Sequence, residues 1–117
     1  MGFEDSVTYS KSYDFSVRIV KLYHFLKNEY NEFVLSKQLL RSGTSIGALI
    51  REAKYAQSKA DFINKLSIAL KEANETEYWI DLLFDTNYLS KKMYDSIKND
   101  IKELIKLLVA SLKTLKE

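Results

Sequence analysis

The chain has 117 residues, 46% of them hydrophobic and 13% aromatic, enough apolar material for one domain to bury a core without covalent staples. It contains no cysteine, which excludes disulfides, thiolate metal sites and thiol nucleophiles, and its 18 basic and 16 acidic residues leave a net charge of +2, too small to imply a polyanionic partner by itself. The absence of proline and a total of three glycines argue against a turn-rich sheet protein, no apolar run approaches the ~18 residues of a membrane span, and Met1 to Lys11 lacks a signal-peptide stretch, so a cytoplasmic protein with no membrane partner is expected.

A single domain spans residues 1–117, of which 1–10 read as a frayed lead-in because Gly, Ser, Thr and acidic residues alternate there without a period. The first helix follows. Phe15, Ile19, Leu22 and Leu26 recur at spacings of four, three and four, and Val20, Tyr23 and Phe25 widen the apolar face. Asn28 to Phe33 breaks this pattern and reads as a loop. Ser36 then suits the N-cap of a second helix, with Leu35 and Leu40 placed as a hydrophobic staple, and the helix is expected to run to about Ala56. Its seam is Leu39, Gly43, Ile46, Ile50 and Ala53. Gly43 and Gly47 together cost roughly 2 kcal/mol of helix propensity relative to alanine, so close approach by another helix is expected to compensate. The small-xxx-small spacing of these glycines reads as local packing rather than a membrane motif, since Arg41, Arg51 and Glu52 flank it.

Ser58 and Asp61 form a capping-box pattern, so the third helix begins a few residues after the second ends and the two make an antiparallel hairpin. Phe62, Leu66, Ala69, Ala73, Thr76, Ile80 and Leu83 carry its seam to an end near Asp85. Ser90 caps the fourth helix, Leu89 and Tyr94 are spaced as a staple, and Ile97, Ile101, Leu104, Leu108, Leu112 and Leu115 form the seam. Four amphipathic helices with short connections predict an all-α, antiparallel up-down-up-down four-helix bundle.

Little in the chain suggests catalysis. A di-iron bundle site needs two Glu-x-x-His pairs, whereas this sequence has one histidine, His24, flanked at helical spacing by Lys21 and Lys27. His24 reads as an ordinary surface or boundary residue, and no acid–base pair, Ser-His arrangement or Gly-rich phosphate loop is present. No enzyme activity, cofactor, metal or small-molecule substrate is expected.

Two surfaces stand out instead. On the second helix Gln38, Arg41, Ser45, Leu49, Glu52 and Ala56 share a stripe about 100° from the seam, and Ile68, Glu72, Glu75, Trp79 and Leu82 form the matching stripe on the third. Folding the hairpin near Gln57 brings Arg41 level with Glu75, which predicts an ion pair there, extended through Glu72. A solvated salt bridge is one reading; the large apolar Leu49 and Trp79 amid the charges favour a contact between subunits. The other surface is basic: Lys91 and Lys92 begin the fourth helix, Lys98, Lys102 and Lys106 follow one turn apart, Lys113 continues near that line, and Arg18 and Lys21 add charge from the first helix. Such a stripe can track a phosphate backbone of RNA or DNA, or it can be the solvent face of an amphipathic helix; in a multi-subunit assembly its charge would be multiplied.

The run from Leu35 to Ala48 with Arg41-Ser42-Gly43-Thr44-Ser45-Ile46-Gly47 at its centre, then Arg51-Glu52-Ala53, Gln57 to Phe62 and Ala69 to Ala73, resembles the bacterial four-helix bundle proteins related to the product of the intervening sequence in the large ribosomal RNA gene. The similarity covers most of residues 11–115. This resemblance implies a left-handed bundle that assembles as a homopentameric ring without known enzymatic activity. It also implies a nucleic-acid link, because the related accessory protein of diversity-generating retroelements binds its reverse transcriptase and associates with RNA through a basic surface. Arg41, Ser45, Ile46 and Glu52 match the family motif, whereas Leu49 stands where an asparagine is usual and removes an amide from that stripe.

Overall fold

Apolar residues three and four positions apart fall on one side of a helix, and burying that side against the two neighbouring helices folds this chain. The computed structural model describes residues 7–116, which form α1 (Val7–Tyr30), α2 (Leu35–Lys54), α3 (Lys59–Asp85) and α4 (Lys91–Lys116), with no strand among them. These four helices pack as a bundle 44 × 20 × 19 Å. Each helix packs on the next in sequence, and α1 also meets α4, which it contacts least extensively. Partners on neighbouring helices run in opposite numerical order: Gly43 lies against Ile19 and Gly47 against Ser12, while Ser42 meets Thr76 and Glu52 meets Lys65. Adjacent helices are therefore antiparallel.

All five seam residues of α2 and all seven of α3 are buried, as are Ile97, Ile101, Leu104, Leu108 and Leu112 of α4; Leu115 is half-buried. On α1 the periodic residues Phe15, Ile19 and Leu26 are buried and Leu22 is partly so, but Val20 is 39% exposed and does not widen the core face. The helix has only one flank against α2 and a thin contact with α4, so its apolar residues outnumber the positions that neighbours can cover.

The glycines of α2 serve the contact with α1. A Cβ on Gly43 would stand 2.9 Å from two carbons of Ile19, and one on Gly47 would stand 3.2 Å from Ser16 Oγ and 3.3 Å from the Ser12 carbonyl. On its other flank α2 meets α3 through a fully buried polar pair, the Ser42 and Thr76 hydroxyls 2.9 Å apart, and the Thr76 hydroxyl has the Glu72 carbonyl of its own helix at 2.7 Å as an acceptor for its one proton. Such pairing removes the desolvation cost of buried hydroxyls.

Several boundaries differ from the sequence expectation. Val7 to Ser10 of the expected lead-in are helical, with Thr8 buried, while residues 1–6 lie outside the described residues. The helix α1 continues through Asn28 and stops at Tyr30, where Asn31 adopts φ +54° and hands its amide to the Lys27 carbonyl. Asparagine tolerates this left-handed conformation, so no glycine is needed. Asn87 does the same after α3 at φ +71°, with the Tyr88 amide donating back to Leu83 and the Asn87 amide to Phe84.

Ser36 is not an N-cap. It sits inside the first turn of α2, where its hydroxyl donates to the Glu32 carbonyl, and the cap is the Glu32 carboxylate, which accepts the amides of Val34, Leu35 and Ser36 at 3.1, 3.2 and 2.8 Å. A carboxylate reaches three orphan donors and adds a favourable charge at the positive helix end, which a serine hydroxyl cannot do. By contrast, Ser58 accepts from Asp61 N at 3.0 Å and Ser90 from Met93 N at 3.2 Å, the caps their spacing predicts. Helix α2 ends at Lys54 rather than Ala56, since the tight connection to Lys59 takes the last two residues.

Candidate functional site

The first surface lies on α2 and α3. Arg41 emerges between two α3 carboxylates one turn apart: Nη1 is 3.1 Å from Glu72 Oε2 and Nη2 bonds to Glu75 Oε2, while Nε donates to Gln38 Oε1 at 3.3 Å. The indole Nε1 of Trp79 donates to Glu75 Oε2 at 3.0 Å, so guanidinium and indole share one carboxylate, and Tyr78 packs edge-on against Trp79. Arg41 remains 49% exposed while Glu72 is only 15% exposed, which turns the cation outward over half-buried anions. The ion pair expected from the hairpin register is present, including its extension through Glu72.

Ser45 and Glu52 share the face without joining this network. Ser45 Oγ donates to the Arg41 carbonyl of its own helix at 2.6 Å, the local bond that a mid-helix serine readily makes, and Glu52 reaches Lys65 at 3.4 Å. Leu49 packs against the core edge. Together Arg41, Ser45, Ala48, Leu49, Glu52, Ile68 and Glu72 line an open depression of about 370 Å³. Its floor is apolar and small; its rim is charged.

The second surface, the basic stripe, is thinner than the sequence suggests. Lys98 turns toward α3, with Nζ 2.6 Å from Asp81 Oδ1 and 3.1 Å from Glu77 Oε2, and only 21% of its side chain is exposed. Tyr94 donates to the same Asp81 oxygen at 2.7 Å and stacks on Phe84 at 4.1 Å between centroids. Burial works against the Lys98 charge, but the hydrogen bonds and charges of Asp81 and Glu77 outweigh it and raise the pKa above that of a free lysine. The Tyr94 hydroxyl is also pushed up, chiefly by its bond to the Asp81 carboxylate and then by burial.

Two more of the expected cations are tied down. Arg18 bonds to Asp100 and to Ser96 Oγ at 3.0 Å, and Lys91 pairs with Asp95 at 2.6 Å. Lys98, Arg18 and Lys91 therefore leave the free stripe, because each faces a carboxylate from its own or an adjacent helix. Lys21, Lys92, Lys102, Lys106 and Lys113 are exposed and make no ion pair among the described residues. The Lys98 clamp escaped the sequence reading, although a signal existed: folding α3 onto α4 about Asn87 and Tyr88 brings Lys98 level with Glu77 and Tyr94 level with Asp81.

His24 is exposed and meets Tyr23 edge-on at 5.6 Å. Among the described residues no three His, Asp or Glu converge as a ligand set for a metal ion, and no helix is long and apolar enough to cross a membrane.

Fold and surfaces together define an all-α bundle whose distinctive side chains lock helices together and line one open, charge-rimmed face. The chain belongs to the 23S rRNA-intervening sequence protein family, whose model matches residues 4–110. It is similar to the crystal structure at 1.70 Å of a protein of unknown function from the S23 ribosomal protein family from Bacteroides thetaiotaomicron VPI-5482, with 64% identity and a TM-score of 0.90 over 92% of this chain and 99% of that one. No curated protein matches the chain.

Proposed function

We propose that this protein is a non-catalytic scaffold that assembles with copies of itself through the α2–α3 face. One observation carries the reading: Arg41, Glu72, Glu75 and Trp79 form a pre-ordered network beside an open depression floored by Ala48, Leu49 and Ile68, so charged groups are already oriented and apolar surface is left uncovered. Ordered charges around an apolar centre are what a specific protein interface needs. The double substitution Arg41→Glu with Trp79→Ala tests it. Light scattering is expected to show the mass falling to that of one 13.6 kDa chain while circular dichroism stays helical; an unchanged mass would overturn the reading.

A second reading concerns nucleic acid. The family takes its description from an intervening sequence in 23S rRNA, and Lys102, Lys106 and Lys113 stand exposed on α4 without a carboxylate partner among the described residues. This face lies across the bundle from α2, so an assembly held by α2 and α3 keeps the lysines open to an RNA, a DNA or a reverse-transcriptase-like enzyme that carries one. Fluorescence anisotropy with a structured RNA tests it: binding should weaken with salt, and changing the three lysines to alanine should lower the logarithmic salt slope by about one per lysine. Absence of binding at low salt would leave the scaffold reading alone.

A further inference from the structure

We infer that the α1–α2 connection at one end of the bundle, with Tyr30, Phe33 and Val34 as its apolar contacts and Lys27 and Lys37 beside them, is a docking surface for an acidic peptide segment of another protein. This surface is separate from the α2–α3 face and does not depend on the self-assembly proposed above. Short connections ordinarily carry small or polar residues, and a helix N-cap ordinarily carries Ser, Thr, Asp or Asn. Here Val34 holds the N-cap position of α2 without a side-chain bond to any amide and is 69% exposed, while Tyr30 is 50% and Phe33 41% exposed.

The connection can carry these apolar residues because other groups hold its shape. Asn31, in the left-handed region, returns its amide to the Lys27 carbonyl, the Glu32 amide goes to the Leu26 carbonyl at 3.2 Å, and the Glu32 carboxylate takes the amides of Val34, Leu35 and Ser36. Tyr30 is fixed as well, edge-on to Phe25 at 6.0 Å and to Tyr88 of the α3–α4 connection at 5.5 Å. Apolar side chains on a backbone already ordered lose little entropy when a partner covers them.

The charge beside these side chains is positive. Lys37 Nζ stands 5.8 Å from the centre of the Phe33 ring, Lys27 lies three residues before Tyr30 on α1, and both lysines are exposed without an ion pair among the described residues. Glu32 is spent on the helix end, Glu29 points about 100° round α1 from Tyr30, and Asp85 belongs to α3, which does not pack on α1. An acidic partner is therefore favoured. Single-stranded nucleic acid is anionic too, but it docks by stacking bases on free ring faces. One face of Phe33 lies under the Lys37 ammonium, Tyr30 is engaged by two other rings, and Val34 has no ring. The apolar side chains of a peptide fit such a surface, with its carboxylates reaching Lys27 and Lys37.

Selection of a random peptide display library on the immobilised protein, followed by fluorescence anisotropy of the enriched peptides, tests the inference. Enriched sequences are expected to combine carboxylates with leucine, phenylalanine or tryptophan, and their affinity should fall more than about tenfold in Phe33→Ser with Val34→Ser. Lys37→Glu should weaken the acidic peptides about fivefold and flatten the salt dependence of their binding. Circular dichroism and light scattering of every variant should match the wild type, since the altered side chains are exposed and lie off the α2–α3 face. That separates loss of docking from loss of assembly. No enrichment, enrichment of basic or uncharged peptides, or acidic peptides that bind the double variant as tightly as the wild type would overturn the inference. So would an oligouridine that binds the wild type and loses that binding in the same double variant.

Discussion

Helix α3 is held on both flanks by the same device, a cation between two carboxylates one turn apart with an aromatic donor sharing one of them. Toward α2 the set is Arg41 with Glu72 and Glu75, completed by Trp79; toward α4 it is Lys98 with Glu77 and Asp81, completed by Tyr94. The difference lies in where the cation ends up. Lys98 is 21% exposed and faces inward, whereas Arg41 is 49% exposed and borders an open depression. A point charge on a flexible stem can fold into a helix seam; a planar guanidinium forks across two carboxylates and stays at the surface. One clamp therefore sits within the seam between two helices, and the other stays at the open surface.

The steric contact on the far side of α2 sets the scale against which both clamps can be measured. Gly43→Val would drive branched carbons into Ile19, already 2.9 Å from a bare Cβ, and urea unfolding should show a loss of about 2–3 kcal/mol. Lys98→Met should cost less, about 1 kcal/mol, because it leaves Glu77 and Asp81 half-buried without their cation.

Alkaline titration sharpens the contrast. Lys98 and Tyr94 both have pKa values raised above the ordinary 10.5 and 10.0, so the stability they contribute is complete below about pH 10 and is lost as pH climbs through the folded values. The urea midpoint of the wild type is expected to stay level from neutral pH to about pH 9.5 and fall above pH 10, and in Lys98→Met that fall should be shallower. A variant that tracks the wild type would break the assignment of this clamp to the fold. The smallest effect on folding belongs to Arg41→Ala, less than about 1 kcal/mol for so exposed a group, and the variant should instead change particle mass. A large drop in unfolding free energy with no change in mass would reverse the roles given to the two clamps.

Much of the fold was legible because it is written in local spacing. The seam residues of α2 and α3 are buried as their periodicity predicts, and the caps at Ser58 and Ser90 involve partners three residues away. Arg41 and Glu75 were also legible, since a short hairpin fixes which residues stand level. What misled was competition between residues of similar type. Glu32 outcompeted Ser36 for the free amides of α2, and Val20 lost its place in the core because α1 has too little neighbouring surface to cover it.

The sequence by itself determined four amphipathic helices, their short connections and the small residues that let α1 and α2 approach, because helix period, capping and glycine sterics act within a few residues. Only the tertiary structure decided which charges remain free. Lys98, Arg18 and Lys91 each carry the same charge as Lys102 and Lys106, yet the first three meet a carboxylate and the last two meet none among the described residues. Charge type is a property of the residue. For Lys98 and Arg18 neutralisation depends on which face of a neighbouring helix stands within 4 Å, and that is set when the bundle closes.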